Sequence, residues 1–488
     1  MSEMLKKARE YERRSEGRIP QEERPVFHFS VPVGWMNDPN GFSDFLGEHH
    51  LFFQYYPYQT AWNSMHWGHA SSEDFVKWNY LPAALAPDEA YDGAGVFSGS
   101  AMEEEGRQIL IYTGVEETVS ERGDKQIRQN QCIAVGDGRD YVKSAVNPVI
   151  SSRLLPEGSS KEDFRDPKIW KEDGKYYVVA GNRSQDGSGQ IVLFYSDDLE
   201  NWKFGSVLDR SENRLGRMWE CPDFFLLGDK RVLLISPQEM RADGMFHNGN
   251  NTAFLTGDYD KDTMRFVRQG VQCVDYGLDF YAPQTMQTQD GRRIMIAWMQ
   301  SWDNPVYPQE HLWSGMMTVP RELTLKDGCV LQTPVRELEK YRRHEVSYQN
   351  VTVGKETALE QVRGRNIDLE LAVRGMERGK FRIRLASDGA LYSEIIYDAE
   401  ERVLTFDRTH SGLTRDVLCS RSMKLEGGKE ELRLRILLDR YSVEIFADGG
   451  KNVMTSLIYT PQTAQNIIFS CGETVDMDVR KFDIETEE

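Results

Sequence analysis

Short apolar runs alternate with clusters of Gly, Pro, Asn and Asp along most of the chain. Such runs, bounded by turn-forming residues, are typical of β-strands joined by tight turns and predict an all-β protein. Two segments depart from this pattern. Residues 1–26 are polar and predict an N-terminal helical segment that lies on the fold or contacts a partner. Residues 333–345 predict a helical linker, because Thr333 suits an N-cap and Pro334 suits the first helical turn.

A longer repeat underlies the strand pattern. Four segments share a Pro, a strand, a Gly-centred turn and an apolar strand: NDPNGFSDFLGEHHLFFQY, RDPKIWKEDGKYYVVAG, ECPDFFLLGDKRVLLIS and YAPQTMQTQDGRRIMIAW. A looser copy, FSGSAMEEEGRQILIYTG, has Ser-Gly in place of the Pro. The copies recur every 55 to 70 residues or so, which suits one four-stranded blade each, with the proline near the start of the inner strand. Residues 27–332 are therefore predicted to form a five-bladed β-propeller.

The last part of the chain has no such repeat. Alternating segments such as KFRIRLAS, YSEIIYD, LRLRILLD and SVEIFAD are separated by turns rich in Gly and Asp. Strict alternation of apolar and polar residues at even spacing is typical of a two-sheet structure. We predict a β-sandwich over residues 346–488.

Three carboxylates stand at matching places in the repeat, directly before its proline or one residue further away: Asp38, Asp166 and Glu220. Equivalent positions of inner strands meet at one mouth of a propeller channel, so the three acids should converge on one pocket. Converging carboxylates repel one another, and retaining them costs stability unless they have a function. A calcium site is the main structural alternative, but neighbours such as Asn37 and Arg165 donate hydrogen bonds and do not suit a cage of oxygen ligands. We predict no metal.

Paired carboxylates are the groups that hydrolysis of a glycosidic bond requires: a nucleophile and a residue that acts first as acid and then as base. Glu220 has the most apolar neighbours, in WECPDFF, and is assigned as the acid/base. Arg165 should keep Asp166 ionised, so that Asp166 stabilises the transition state through hydrogen bonds with the sugar. Asp38, held by a rigid turn, remains as the nucleophile.

The composition argues against other classes of function. The chain of 488 residues carries a formal net charge of −19, which repels phosphate backbones and anionic lipid. No apolar run approaches the roughly 20 residues that span a bilayer. The N-terminus MSEMLKKAREYERRSEGR lacks the apolar core of a secretory signal, and the six cysteines show no paired spacing. We therefore expect a cytoplasmic protein with no nucleic-acid or membrane partner. The oligomeric state is not predicted.

The motifs WMNDPNG, FRDP and WECPDFF, with their flanks, resemble the three signature motifs of glycoside hydrolase family 32, the invertases and β-fructofuranosidases. The resemblance extends over about residues 25 to 450. It implies a propeller followed by a sandwich, no cofactor, and a retaining mechanism on a terminal β-fructofuranosyl unit of sucrose, sucrose 6-phosphate or a short fructo-oligosaccharide. The chain is most similar to the bacterial intracellular group. The substrate-binding residues that the resemblance implies are Trp35, Asn37, Gln54, Trp62, Phe97, Ser98, Arg165, Tyr281 and Trp298.

Other interpretations remain open. A fructosyltransferase would use the same site, a non-catalytic sugar-binding module would have the same fold, and an inverting five-bladed glycosidase would separate its carboxylates further. The segment ERGDKQIRQNQ also carries three cations on an otherwise acidic chain. These three residues, Arg122, Lys125 and Arg128, either meet a phosphate group of the substrate or belong to a solvated loop.

Overall fold

The computed structural model describes residues 1–119, 122–304, 311–412, 418–427 and 431–486. Within these ranges the chain is almost entirely β-structure. Five sheets of four antiparallel strands follow one another along residues 34–334. The strands of the first sheet are β1 Gly34–Phe45, β2 Glu48–Tyr56, β3 His66–Ser72 and β4 Asn79–Leu85. The second sheet contains β5 Gly95–Glu104, β6 Arg107–Val119, β7 Lys125–Gly136 and β8 Tyr141–Lys143. The third contains β9 Ser159–Glu172, β10 Lys175–Ser184, β11 Gly189–Ser196 and β12 Trp202–Arg210. The fourth contains β13 Met218–Leu227, β14 Lys230–Gln238, β15 Ala253–Asp260 and β16 Arg265–Cys273. The fifth contains β17 Tyr281–Gln287, β18 Arg293–Trp298, β20 Arg321–Lys326 and β21 Cys329–Pro334.

The first strands of the five sheets form a ring. Strand β1 contacts β5, and the contacts continue through β9, β13 and β17 back to β1. The short strand β19, Trp313–Ser314, leaves the fifth sheet and pairs in parallel with β1, which joins the last sheet to the first. The predicted five-bladed β-propeller is confirmed, with these inner strands lining its central channel.

Each inner strand carries a β-bulge at an equivalent place. The pairing register shifts between Met36 and Pro39, Phe97 and Gly99, Arg165 and Lys168, Glu220 and Asp223, and Tyr281 and Gln284. We expected the acids to precede the strands, but Asp38, Asp166 and Glu220 lie inside them. The physical reason is that a bulge leaves a residue unpaired, so a proline without an N–H fits beside it and the strand continues.

The second domain is a sandwich of two sheets, as predicted for the fold. One sheet has the order β22-β32-β23-β28-β29-β30 and the other β27-β26-β25-β24-β31. Their strands are β22 Arg342–Val353, β23 Ile367–Arg374, β24 Lys380–Ser387, β25 Ser393–Asp398, β26 Val403–Asp407, β27 Ser420–Lys424, β28 Glu431–Asp439, β29 Ser442–Ala447, β30 Asn452–Leu457, β31 Asn466–Cys471 and β32 Val475–Ile484. A continuous apolar core lies between the two sheets.

Helices are short and few in the described residues. The α-helix α1 spans Glu3–Ser15 and lies on the first blade, where Leu5 and Ala8 are buried and Arg9 Nε donates to the Ala83 carbonyl at 2.9 Å. The 3₁₀ helices are Gln21–Glu23, Ser152–Leu154, Arg336–Tyr341 and Asp448–Gly450. In the described part of the chain no helix has the length and apolar character needed to cross a bilayer.

The connection between the domains differs from the expected helix over residues 333–345. Thr333 does not cap it, because Thr333 and Pro334 pair with the fifth blade at the end of β21. Only Arg336–Tyr341 is helical, and its N-cap is Val335, which makes no side-chain capping bond. On both sides of this helix the backbone N–H and C=O groups are hydrogen-bonded in strands. They therefore need no helical partners, and the helix stays short.

A buried network of charges joins the two domains. Arg321 of the fifth blade pairs with Asp275 at 3.0 Å and with Glu444 of the sandwich at 2.6 Å. His28, in the segment before β1, lies 2.8 Å from Asp439 and 2.9 Å from Glu444 through its two ring nitrogens. All five side chains are fully buried. Two carboxylates on one imidazole favour its charged form, so this interface contains a histidinium.

Candidate active site

One open pocket of about 510 Å³ lies where the inner strands converge. Nine of the predicted residues line it: Asn37, Asp38, Gln54, Trp62, Phe97, Ser98, Arg165, Asp166 and Glu220. They come from four blades, and the bulges of the inner strands place several of them side by side. Six further lining residues were not predicted: Ile127, Gln129, Glu162, Asp163, Gln238 and Trp302.

Three predicted aromatic residues lie behind the pocket wall. Trp35, Tyr281 and Trp298 are 5%, 1% and 0% exposed and pack together in one buried cluster. Trp35 Nε1 donates to Asn37 Oδ1 at 2.9 Å, and the Tyr281 hydroxyl donates to Glu220 Oε2 at 2.7 Å. The expected direct contact of these three rings with a sugar is therefore not supported by their placement. They orient pocket residues instead, a distinction that the sequence does not reveal because both positions favour aromatic residues.

Asp38 is held by donors on both of its oxygens. Ser98 Oγ donates to Oδ2 at 2.7 Å, and Asn37 Nδ2 donates to Oδ1 at 3.1 Å. Burial raises the pKa of Asp38, and the charge of Glu220 raises it further, whereas the two hydrogen bonds lower it. The carboxylate is thus fixed in direction and open to the pocket.

Asp166 lies at the bulge of β9 with a φ of 64°, in the left-handed region. Its N–H donates to Thr113 Oγ1 at 2.9 Å, and its Oδ2 accepts the Cys221 N–H at 2.9 Å. Burial, followed by repulsion from Glu220, raises the pKa of Asp166 to about 7, although Arg165 opposes the shift. We expected Arg165 to keep this acid ionised, but burial and the charge of Glu220 outweigh its effect, and the side chain of Arg165 also has other partners.

Those partners are Glu220 and Asp163. Arg165 Nε donates to Glu220 Oε1 at 3.0 Å, and its Nη1 donates to Asp163 Oδ1 at 3.0 Å. The Tyr281 hydroxyl donates to the other oxygen of Glu220, so both carboxylate oxygens have polar partners. The predicted apolar setting of Glu220 is therefore wrong. Trp219, its sequence neighbour, points into the hydrophobic core of the blade because side chains alternate along a strand.

Some of the missed residues had a signal in the sequence. Asp163 lies two residues before Arg165 on β9, and residues two apart on a strand share a face. Gln129 accepts from the Phe164 N–H at 3.1 Å and from Arg165 Nη1 at 3.4 Å. Gln238 and Trp302 reach the pocket from the ends of β14 and β18, and no local pattern marks them.

The structure places Arg122, Lys125 and Arg128 on the hairpin of β6 and β7, and these hairpin cations do not line the pocket. Lys125 pairs with Glu117 at 2.5 Å, and Arg128 lies opposite Glu116 in the β6–β7 ladder. Arg122 is at the tip of this hairpin, beside residues 120 and 121, which lie outside the described residues. Glu117 and Glu116 therefore offset the positive charge of Lys125 and Arg128 that a phosphate group would need for binding.

Comparison with known proteins agrees with this geometry. The family model described as the N-terminal domain of glycosyl hydrolases family 32 matches residues 28–334, and the C-terminal model of the same family matches residues 337–486. A sucrose-6-phosphate hydrolase of Escherichia coli is 37% identical over 439 residues, 89% of each chain. A raffinose invertase of Escherichia coli is 38% identical over the same share.

A solved structure extends the similarity to three dimensions. The β-fructofuranosidase of glycoside hydrolase family 32 from Bombyx mori superimposes with a TM-score of 0.84 at 33% identity, over 98% of both chains. The two family models together span nearly the whole of the propeller and sandwich. This chain therefore belongs to glycosyl hydrolases family 32, and it is a glycoside hydrolase.

Proposed function

We propose that this protein is a retaining β-fructofuranosidase that hydrolyses the terminal β-D-fructofuranosyl bond of sucrose and related sugars. The observation that carries the proposal is the meeting of Asp38, Asp166 and Glu220, from three different blades, around one open pocket. Asp166 is only 5% exposed within this pocket, and a recessed acid of this kind suits the removal of a single terminal sugar. No cofactor is needed for this chemistry.

In the first step Asp38 attacks the anomeric carbon C2 while Glu220 gives a proton to the glycosidic oxygen, so the C2–O bond breaks and a fructosyl–enzyme ester forms. In the second step Glu220 takes a proton from water, the water oxygen attacks C2, and Asp38 leaves as the free carboxylate. Fructose is released in its β-form because two inversions restore the configuration.

The proton comes from a pocket in which three carboxylates are close together. Burial and repulsion from Glu220 raise the pKa values of Asp38 and Asp166, so negative charge is costly in this pocket. Sugar hydroxyls that donate to Asp166 favour its charged form in the substrate complex. Arg165 and Tyr281 hold Glu220 in place for the transfer.

The charge of the lining favours an unphosphorylated substrate. Its acids are Asp38, Glu162, Asp163, Asp166 and Glu220, and its only cation among the described lining residues is Arg165. Arg165 is already paired with two of those acids. A phosphate group in this pocket would meet net negative charge.

None of the six cysteines is joined in a disulfide. Cysteines that stay reduced are typical of proteins in reducing compartments, and we therefore propose a cytoplasmic location.

A release assay that compares sucrose, sucrose 6-phosphate, kestose and inulin tests the substrate. We expect the highest kcat/KM with sucrose, and NMR of the first product should show β-fructofuranose. Release of α-fructofuranose would instead show inversion. Replacement of all three hairpin cations by Ala should change kcat/KM for sucrose and sucrose 6-phosphate by similar factors, whereas a selective loss on the phosphate would place the phosphate at the hairpin.

Azide separates the roles of the two principal acids. Glu220→Ala should still form the intermediate from a fructoside with an acidic leaving group, and azide should convert it to β-fructosyl azide because azide needs no general base. Asp38→Ala should give no such product. Azide rescue of Asp38→Ala, with none for Glu220→Ala, would reverse the two assignments. Kestose accumulation at high sucrose would favour the alternative, a fructosyltransferase.

A further inference from the structure

Trp302 is exposed at the mouth of the pocket. Its side chain is 38% exposed and lines the pocket, whereas Asp166 is 5% exposed. The ring stacks on Trp35, with centroids 6.1 Å apart and planes inclined by 25°, and lies 4.9 Å from Trp298. Since the fructosyl unit must reach the acids, the leaving group extends toward the mouth, where this flat aromatic face suits the C–H face of a sugar.

The segment that carries Trp302 is anchored on both sides. Asp303 accepts from the Asn250 N–H at 2.6 Å and from Asn250 Nδ2 at 2.9 Å. The Asn304 N–H closes a turn by donating to the Ser301 carbonyl at 3.0 Å. Asn304 is 3% exposed, and its Nδ2 approaches Asp279 Oδ1 to 3.4 Å. The position of Trp302 therefore depends on the residues that hold Asp303 and Asn304.

One of these residues, Asp279, is bonded to the sandwich domain. Arg408, which follows β26 of the sandwich, donates through Nη1 to Asp279 Oδ2 at 2.6 Å and to the Leu457 carbonyl at 2.8 Å. The Leu457 N–H donates to the same carboxylate oxygen at 2.8 Å. The side chains of Arg408 and Asp279 are 4% and 0% exposed. This ion pair is buried between the two domains, and its Asp279 contacts Asn304 of the Trp302 segment.

We propose that the β-sandwich sets the position of Trp302 through the Arg408–Asp279 pair, and that Arg408 is a positioning residue for the leaving-group part of the site. The inference rests on the proposed function. Removal of one partner of a buried ion pair leaves an uncompensated charge, which the surrounding segment relieves by moving. Asn304 and then Trp302 are the first groups that such a movement reaches. The sandwich thereby takes part in substrate selection without lining the pocket.

A double-mutant cycle with two substrates tests the proposal. Trp302→Ala and Arg408→Met should each lower kcat/KM for sucrose about tenfold, mainly through KM, since each removes one aromatic contact to the leaving group. Arg408→Met should leave kcat/KM for methyl β-D-fructofuranoside, whose leaving group is too small to reach Trp302, near the wild-type value. The double variant should lose no more than either single variant, because both act on one contact. Arg408→Lys should restore most of the activity on sucrose.

A matched control is Arg292→Met, which removes a partly buried arginine that pairs with Glu337 and lies outside the pocket lining. This variant should not change the ratio of kcat/KM for sucrose to kcat/KM for methyl β-D-fructofuranoside. If Arg408→Met does not fold, the double replacement Asp279→Asn with Arg408→Met removes both charges and should show the same selective loss. Equal losses on both substrates, or additive losses in the cycle, would overturn the inference. Failure of the wild-type protein to cleave methyl β-D-fructofuranoside would instead count against the proposed function.

Discussion

The hydrogen bond from Ser98 to Asp38 gives a sharp test of the site. Its length is 2.7 Å, and it stabilises the charged form of the carboxylate. A hydrogen bond to a charged group contributes about 1.5 to 3 kcal/mol. Ser98→Ala should therefore raise the pKa of Asp38, and the proton affinity of that carboxylate should rise by a factor of about 10 to 100. Because Asn37 still donates to the Asp38 carboxylate at 3.1 Å, we expect a factor near the lower end of this range.

The assay is the pH dependence of kcat/KM for sucrose from about pH 4 to about pH 8, which reports the ionisation of the free enzyme. A nucleophile must be charged, so the acidic limb of the profile should move to higher pH in Ser98→Ala. The ratio of variant to wild type should be smallest at low pH and should reach a plateau at high pH. The plateau then measures any loss of direct sugar contact separately.

Ser100→Ala is the matched control. Ser100 lies on the same strand, and its buried hydroxyl bonds backbone groups: it donates to the Pro167 carbonyl at 2.8 Å and accepts from the Ile169 N–H at 2.9 Å. This variant should lower thermal stability without moving the acidic limb. The reasoning fails if Ser98→Ala loses the same factor of kcat/KM at every pH, because the hydroxyl would then bind substrate without holding the charge of Asp38.

Two further predictions concern charged groups in the buried parts of the fold. Asp166→Asn should lower kcat about a hundredfold or more on good and poor leaving groups alike. Because the folded-state pKa of Asp166 is raised to about 7, stability falls as pH rises from the unfolded value of about 4 to about 7, and the loss is complete above that, so Asp166→Asn should raise Tm at pH 8. Burial opposes the charged form of His28, but its hydrogen bonds with Asp439 and Glu444 outweigh burial and raise its pKa to about 9. The stabilising effect of His28 is complete below the unfolded value of about 6.5 and is lost as pH rises through 9, so Tm should fall over that interval in the wild type. Differential scanning fluorimetry at several pH values should show a smaller fall of Tm in His28→Gln. The control variant His344→Gln, at an exposed histidine, should keep the wild-type fall. An unchanged fall of Tm in His28→Gln would contradict a charged His28.

The repeat can be recognised from the sequence because local rules produce it. A turn glycine and an alternating strand recur in each blade, with a proline in four of the five, and each element depends on residues a few positions apart. The three acids can be placed in one pocket for the same reason, since equivalent positions in repeated units meet around a common axis. The predicted helical linker is too long, because pairing of Thr333 and Pro334 with a neighbouring strand outweighs the capping preference of a threonine.

The sequence by itself determined the all-β class, the five blades with their sandwich, and the identity of the acids that meet in the pocket. Only the tertiary structure decided which partner each charged group takes. Arg165 is adjacent to Asp166 in the chain and both line the pocket, yet Arg165 pairs with Glu220 from the next blade, because the fold brings that carboxylate within 3.0 Å of the guanidinium. The same holds for Trp302, whose position depends on an arginine more than a hundred residues away in another domain. Burial and electrostatic pairing are set by distances in space, and spacing along the chain does not encode those distances.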